Sequence, residues 1–412
     1  MKNILIIPPF YPYPLLSGGH QAIFNGIAIL KDVANVYVYV KTTESQYKRG
    51  EYRQIETILP FVHVLPNIDP ASKHTIKWYW RVLMNKIRST LGFKETAKEV
   101  AIPRLGLESI CDLSEHEIKF VLDAIKEYHI DIVQVEMMPY IKLINYLPKT
   151  VRTIFVQHEI KFVRDELLLQ TMENVTEEMR AMYAHNKKEE IELHNQYDYV
   201  ITLSPIDTHK LKEAGVISPI TTSLAIVNPA LRQTSQEKEV RKVLSYVGPE
   251  MHYPNYDGIM WFLENCWSLL QVKDPEYTMQ IIGLWSEQTA AELAEKYHNK
   301  VKCVGFIDDL GEALSGTTMI VPLNIGGGIR MKILEAAQLN VPVVTTMVGG
   351  EGLPLIDGEN SFVTNDPKQF VDDILQLQDN ALREKFVTNL REEIASKYSL
   401  QALRESRISL YQ

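Results

Sequence analysis

The chain has 412 residues, 45% hydrophobic and 23% charged, with 43 Lys and Arg against 52 Asp and Glu and a formal net charge of -9. That length exceeds one comfortable core and calls for two domains of about 200 residues each, and the acidic balance argues against general nucleic-acid binding. Cys111, Cys266 and Cys303 lie far apart and form no CxxC, against a disulfide frame or zinc site and for a reducing compartment.

At the start, MKNILIIPPFYPYP has a short apolar run cut by prolines, without the long apolar region and cleavage site of a signal peptide. No run of 18 or more apolar residues could span a membrane. The expected compartment is the cytoplasm. ILII (4–7) reads as a buried parallel strand. HQAIFNGIAILKD (20–32) spaces Ile23, Ile27 and Leu30 at helical intervals, and VYVYV (36–40) completes a βαβ unit.

The segment 72–98, SKHTIKWYWRVLMNKIRSTLGFKETAK, carries seven Lys or Arg against a single Glu. Trp78, Tyr79, Trp80, Leu83, Met84 and Ile87 can form one apolar face. A basic amphipathic helix of this kind reads as a membrane-surface element, giving residues 73–98 a peripheral contact with the inner face of the membrane. The plainer reading is a helix packed on the first domain with its basic side in solvent.

DIVQVEM (131–137), RTIFVQHE (152–159), a long charged helix over 162–196, YVITLS (199–204) and TTSLAI (221–226) follow. NPALRQTSQEKEVRK (228–242) is polar and charged and reads as an interdomain linker. The alternation then restarts, with strands KVLSYVG (242–248), YTMQIIG (277–283), VKCVGF (301–306), MIVPL (319–323) and VPVVTT (341–346). The fold class is α/β, two doubly wound, Rossmann-like domains facing a cleft. Ligands of such sheets sit beyond the carboxyl ends of the strands.

The segment TMIVPLNIGGGIRMKILEAAQLNVPVV (318–344) sits at such a strand end. Gly326, Gly327 and Gly328 let backbone approach a ligand closely. A helix beginning near Gly328 offers free N–H groups to an anion, worth roughly 0.3–1 kcal/mol per charge at exposed sites. Arg330 and Lys332 add cations that oppose the helix dipole, so helix stability does not explain them and a bound phosphate would. Glu335, three residues past Lys332, can accept two hydroxyl hydrogen bonds, as from a ribose. The plain alternative is a solvated Lys–Glu pair worth about 0.3–0.5 kcal/mol. GGGIRM is not GxGxxG, PPFYPYPLLSGGHQ is too long for a dinucleotide turn, and GxxxxGK[ST] is absent.

GGGIRMKILEAAQLNVPVVTT resembles the donor-binding segment of retaining GT-B glycosyltransferases, the group 1 family with an E-x7-E motif, whose second Glu matches Glu335. SYVGPEMHYPNYDGIMWFLENCW resembles the first strand and helix of that family's donor domain, YDYVITLSPIDTHKL the end of its acceptor domain, GGEGLPLIDGENSFV the segment after the donor site, and KYSLQALRESRISLYQ its closing helix. The chain departs from the motif at its first Glu, where Gly327 stands, and resembles the branch with a G-G-G/T-R-x-K-I-L-E version. GPEMHYPN (248–255) lacks the Arg and Lys of the family's first donor loop, so Arg330 and Lys332 would supply the phosphate charge.

The resemblance implies an acceptor-binding domain over 1–227, a nucleotide-sugar domain over 228–395 and a closing helix over 396–412 that packs back on the first domain. It implies that Gly18 and Gly19, before the first helix, approach the donor phosphates or the acceptor. It places His158, at the end of RTIFVQHE, close to the transferred sugar, with His20 a weaker candidate. Gly248 would admit phosphate, and Asn255 would cap a helix beginning near Tyr256. Gly283 and residues 304–307 would line the same edge, and Asp308 and Asp309 would open a helix. No DxD and no metal-spaced ligand set is present; neither metal nor cofactor is expected.

The expected activity is retaining, metal-independent transfer of a sugar from a UDP- or GDP-sugar to a glycan or lipid-linked hydroxyl, in bacterial surface polysaccharide synthesis. The rivals are a catalytically degenerate partner subunit, which Gly327 keeps open, and a sugar-nucleotide 2-epimerase, which needs more acid and base groups in the cleft.

Overall fold

The computed structural model describes residues 1–15, 17–68, 107, 109–226 and 239–412. The basic segment 73–98 and most of the 228–242 linker lie outside the described residues. Two parallel sheets organise the rest. The first holds β1 (Lys2–Ile7), β2 (Ala34–Thr42), β3 (Val62–Ile68), β4 (Ile132–Glu136), β5 (Arg152–Gln157), β6 (Tyr199–Thr202) and β7 (Ile220–Thr222) in the order β3-β2-β1-β4-β5-β6-β7. The second holds β8 (Val243–Val247), β9 (Thr278–Ile282), β10 (Val301–Gly305), β11 (Thr318–Val321), β12 (Val343–Thr345) and β13 (Phe362–Val363) in the order β10-β9-β8-β11-β12-β13. Both orders reverse direction beside their first strand, between β1 and β4 and between β8 and β11. These switch points are where doubly wound sheets open a crevice for ligand.

The apolar run of β1 is buried on both faces, as a central parallel strand requires. Ile4 and Ile6 join one core layer and Leu5 and Ile7 the other, the two-residue alternation of a strand.

The elements differ from the sequence reading in several places. The edge strand β3 was missed, because Pro66 and the polar His63 and Asn67 break its apolar pattern. The helix over 162–196 is two helices, Lys161–Thr171 and Glu177–His194, the second starting at Thr176, whose side chain accepts from the Met179 amide. The helix after the glycine turn begins at Met331 rather than near Gly328.

The chain closes on itself. After the helix Asn380–Lys397, the helix Leu400–Arg407 starts at Ser399, which accepts from the Ala402 amide. Its Arg404 Nη1 donates to the carbonyls of Ile29 (2.6 Å) and Lys31 (3.2 Å), and Arg407 Nε donates to Ser223 Oγ at 2.7 Å. The closing helix therefore packs against the first α/β unit. Among the described residues, no helix is long and apolar enough to cross a membrane.

Candidate active site

The candidate residues gather where the two switch points meet. The loop after β1 ends at Ser17, which caps the helix Gly18–Ala28 by accepting from the His20 amide. A side chain at Gly18 would place its Cβ 2.5 Å from Cβ of Met331, so this helix start touches the start of the Met331–Gln338 helix. One turn further, Gln21 Nε2 donates to Glu335 Oε1 at 2.6 Å. Gly19 lies against Met137 and Phe10, and the His20 ring stacks on Phe10 at 4.4 Å.

The glycine turn is pressed against the end of β5. The Ile160 amide donates to the Gly327 carbonyl at 2.8 Å. A Cβ at Gly327 would stand 2.4 Å from the Ile160 oxygen, and one at Gly328 would stand 2.1 Å from the His158 oxygen. Gly326 holds φ at +153°, and a Cβ there would stand 2.4 Å from Nη2 of Arg330.

Arg330 is 8% exposed; its Nη2 donates to the Val348 carbonyl at 3.0 Å, while its Nε is buried without a partner. Burial draws its pKa down, against the pull of Glu159, Glu351 and Asp207. Lys332 donates to Tyr246 Oη at 2.9 Å and Asn255 Oδ1 at 3.0 Å, with Nζ 4.0 Å from the centre of the Tyr246 ring. Burial, reinforced by Arg330, brings the Lys332 ammonium down to about 7. Burial raises the Glu335 carboxyl, against the Gln21 hydrogen bond and the Lys332 charge.

Asn255 does not cap its helix. That helix runs Tyr253–Asn265, so Asn255 lies inside its first turn. Its amide accepts from Tyr246 Oη at 2.6 Å and donates to the Pro249 carbonyl at 2.8 Å. Gly248, with φ at +154°, is where a Cβ would stand 2.6 Å from that amide nitrogen. Gly283 packs on the Gly248 carbonyl, and Val304 and Phe306 are exposed on the same sheet edge. Asp309 caps the helix Leu310–Leu314, as its position suggests.

His158 follows β5, with Nε2 2.6 Å from Oε2 of Glu136 at the end of β4. Next to it, Glu159 receives Arg164 Nη1 at 3.0 Å. Burial pushes the Glu159 carboxyl up, but Arg164, His252 and Arg330 together hold it below its usual range.

Sequence reasoning missed Gln21, Glu136, Glu159 and Tyr246. Glu136 was within reach, since it closes a strand that had been recognised. Tyr246 sits inside a strand, and Gln21 and Glu159 gain their meaning only from partners far along the chain.

Solved structures share the whole architecture. TarM superposes on 100% of this chain and 99% of its own with a TM-score of 0.70 at 14% identity. Sucrose-phosphate synthase from Thermosynechococcus elongatus superposes on 100% of this chain and 98% of its own, also with a TM-score of 0.70, at 15% identity. A mutant of S. aureus TarM solved with fondaparinux, alpha-GlcNAc-glycerol and UDP superposes with a TM-score of 0.69 at 13% identity, covering 100% of each chain. The fold is GT-B. Residues 241–380 match the family Glycosyl transferases group 1, and the protein is a glycosyltransferase. Over 390 residues it is 20% identical to an uncharacterized 44.6 kDa protein in the cps region of Klebsiella pneumoniae, covering 92% of each chain.

Proposed function

We propose that the protein is a retaining, metal-independent glycosyltransferase that moves a sugar from a UDP- or GDP-sugar to a hydroxyl of a glycan or lipid-linked acceptor, in bacterial surface polysaccharide synthesis. In this reading residues 1–227 bind the acceptor, 228–395 bind the donor, and 396–412 tie the two together. The segment 73–98 would touch the inner face of the membrane.

The observation that carries the proposal is the pair Arg330 and Lys332. Both are cations withdrawn from water at a strand end, and the Arg330 Nε is buried without a partner. Glu159, Glu351 and Asp207 pull on Arg330, and Glu335 on Lys332, but among the described residues neither cation makes a direct ion pair, and a buried charge without a close partner is costly. A diphosphate would bring that close partner, and charge-assisted hydrogen bonds to it are about twice as strong as neutral ones. Gly248 packs on Asn255 and Gly326 to Gly328 on Arg330, Ile160 and His158, so backbone comes close around the two cations, and the helix start at Gly18 touches the Met331 helix beside them. Glu335, on the next turn from Lys332, accepts ribose hydroxyls, and His158 orients the transferred sugar.

Retention needs no protein nucleophile if the leaving diphosphate and the incoming hydroxyl share one face of the sugar. The cations then stabilise the leaving group; losing one such preorganised donor typically costs about 10²–10³ in rate. The cps-region relative and the UDP held by the TarM mutant support the biological and donor assignments.

The test is the thermal shift of the purified protein against UDP, GDP, ADP and their sugar conjugates, with Glu335→Ala as control. A ligand at 100 times its dissociation constant adds about 2.7 kcal/mol of stability. A shift with one nucleotide that is lost in the variant names the base. No shift with any of them removes the donor site from this cleft.

A further inference from the structure

We propose that Glu136 is a positioning residue for His158, and that a buried hydrogen-bonded chain from the C-terminal Tyr411 holds Glu136 in place. The proposal rests on the reading of His158 as the residue that orients the transferred sugar.

The chain has three links. Tyr411 Oη donates to Gln134 Oε1 at 2.5 Å, Gln134 Nε2 donates to Glu136 Oε1 at 2.5 Å, and Glu136 Oε2 lies 2.6 Å from His158 Nε2. Tyr411, Gln134 and Glu136 are each no more than 1% exposed. The strand explains the geometry. Gln134 and Glu136 are two residues apart on β4 and share one face of the sheet. Glu136 pairs in register with Val156 of β5, two residues before His158.

A carboxylate withdrawn this far from water costs several kcal/mol unless it is fully hydrogen-bonded. The fold gives no other account of it. Among the described residues, Glu136 caps no helix and pairs with no lysine or arginine; its partners are Gln134 and His158. Each carboxylate oxygen is therefore committed, one to the amide that fixes its plane and one to the imidazole.

A carboxylate only accepts hydrogen bonds, so Nε2 must carry the hydrogen. The neutral ring is then the Nε2–H tautomer, with Nδ1 as its acceptor. Nδ1 has no hydrogen-bond partner among the described residues, which leaves it for a sugar hydroxyl. Tautomer choice through the far nitrogen is the general way a carboxylate tunes a histidine. The His158 carbonyl is meanwhile closely packed by Gly328, so backbone and ring are both constrained.

The test uses 15N-histidine-labelled full-length protein and two-bond proton–nitrogen spectra of the imidazole rings, with His158→Gln to assign the signal. The wild-type ring is expected in the Nε2–H form. In Glu136→Gln, whose amide can donate or accept, a mixture of tautomers is expected. Release of UDP or GDP from UDP-glucose and GDP-mannose should fall at least about tenfold in kcat, with KM within about twofold, because an orienting interaction lost in the transition state lowers kcat. Tyr411→Phe removes one link without opening a cavity and should shift the tautomers in the same direction by less. A wild-type ring in the Nδ1–H form overturns the proposal without any variant. So does a Glu136→Gln protein with unchanged spectra and unchanged kcat. If His158→Gln keeps full kcat while Glu136→Gln scrambles the tautomer, the coupling stands and the reading of His158 fails.

Discussion

Lys332 shows most directly how the proposed donor site would trade stability for binding. Its ordinary pKa is 10.5, and burial brings it to about 7. Between those values the unfolded chain holds a proton that the folded site lacks, so this residue makes stability rise with pH across that window. Below pH 7 both states carry the charge and the folded state bears its desolvation. Lys332→Met keeps the length of the side chain and removes that charge. The free variant should therefore unfold at higher urea than the wild type at pH 6, and the difference should shrink towards pH 10. The same variant should lose donor binding. A diphosphate that pairs with Lys332 must restore its proton, so binding above pH 7 takes one up. A nucleotide-sugar lacks the phosphate group that titrates near 6 and would blur this signal. Calorimetry of UDP-sugar or GDP-sugar binding in buffers of different ionisation enthalpy should show uptake near zero at pH 6 and approaching about one proton at pH 8.5. Zero uptake at pH 8.5 would separate Lys332 from the diphosphate.

The glycine turn is the element that the sequence showed and yet left half explained. Three glycines after a strand, then Arg, Lys and Glu, were enough to single out the turn that the structure brings against the first helix and the end of β5, and to raise the expectation of a nucleotide-sugar there. The strand ends just before Gly248 and His158 were legible for the same reason, since apolar runs stop where the sheet does. What the pattern could not show is who presses on the turn. Gly327 and Gly328 lie against the carbonyls of Ile160 and His158, which come from more than 160 residues earlier in the chain. Absence of a Glu at 327 thus has a packing reason: no Cβ fits there while the two sheets face each other this closely. Gly327→Glu is expected to push the halves apart, raising the radius of gyration in X-ray scattering. It should lower kcat by about 10²-fold, the usual cost of an ångström-scale misplacement. Donor binding to the second half should survive. Wild-type scattering and turnover in this variant would show that the contact between turn and β5 is not required for catalysis.

Across the whole molecule, the two halves are joined by the return of the chain as well as by the cleft. The Leu400–Arg407 helix grips the back end of the first helix, where Arg404 meets the carbonyls of Ile29 and Lys31. Cations are favourable at a helix C-terminus. The front end of that same helix carries Gly18 and Gln21 to the Met331 helix and Glu335. One rigid helix thus links the closing segment to the site. The sequence suggested the closing helix through KYSLQALRESRISLYQ, but not that Arg407 would be 2% exposed, because a charged residue gives no burial signal. Arg407 Nε donates to Ser223, and its Nη1 lies 3.1 Å from where a Cβ at Gly26 would stand. Arg407→Ala should leave a void and remove one hydrogen bond from Ser223, whose hydroxyl keeps Ser406 as a partner, costing about 2–4 kcal/mol in urea unfolding. It should also lower kcat several-fold in fully folded protein while leaving the KM for donor near its wild-type value, because the second α/β unit, the proposed donor side, is untouched and only the helix that meets it has loosened. An Arg407→Ala enzyme that is destabilised but turns over normally would break this link, and would reduce the closing helix to a structural tie between the halves.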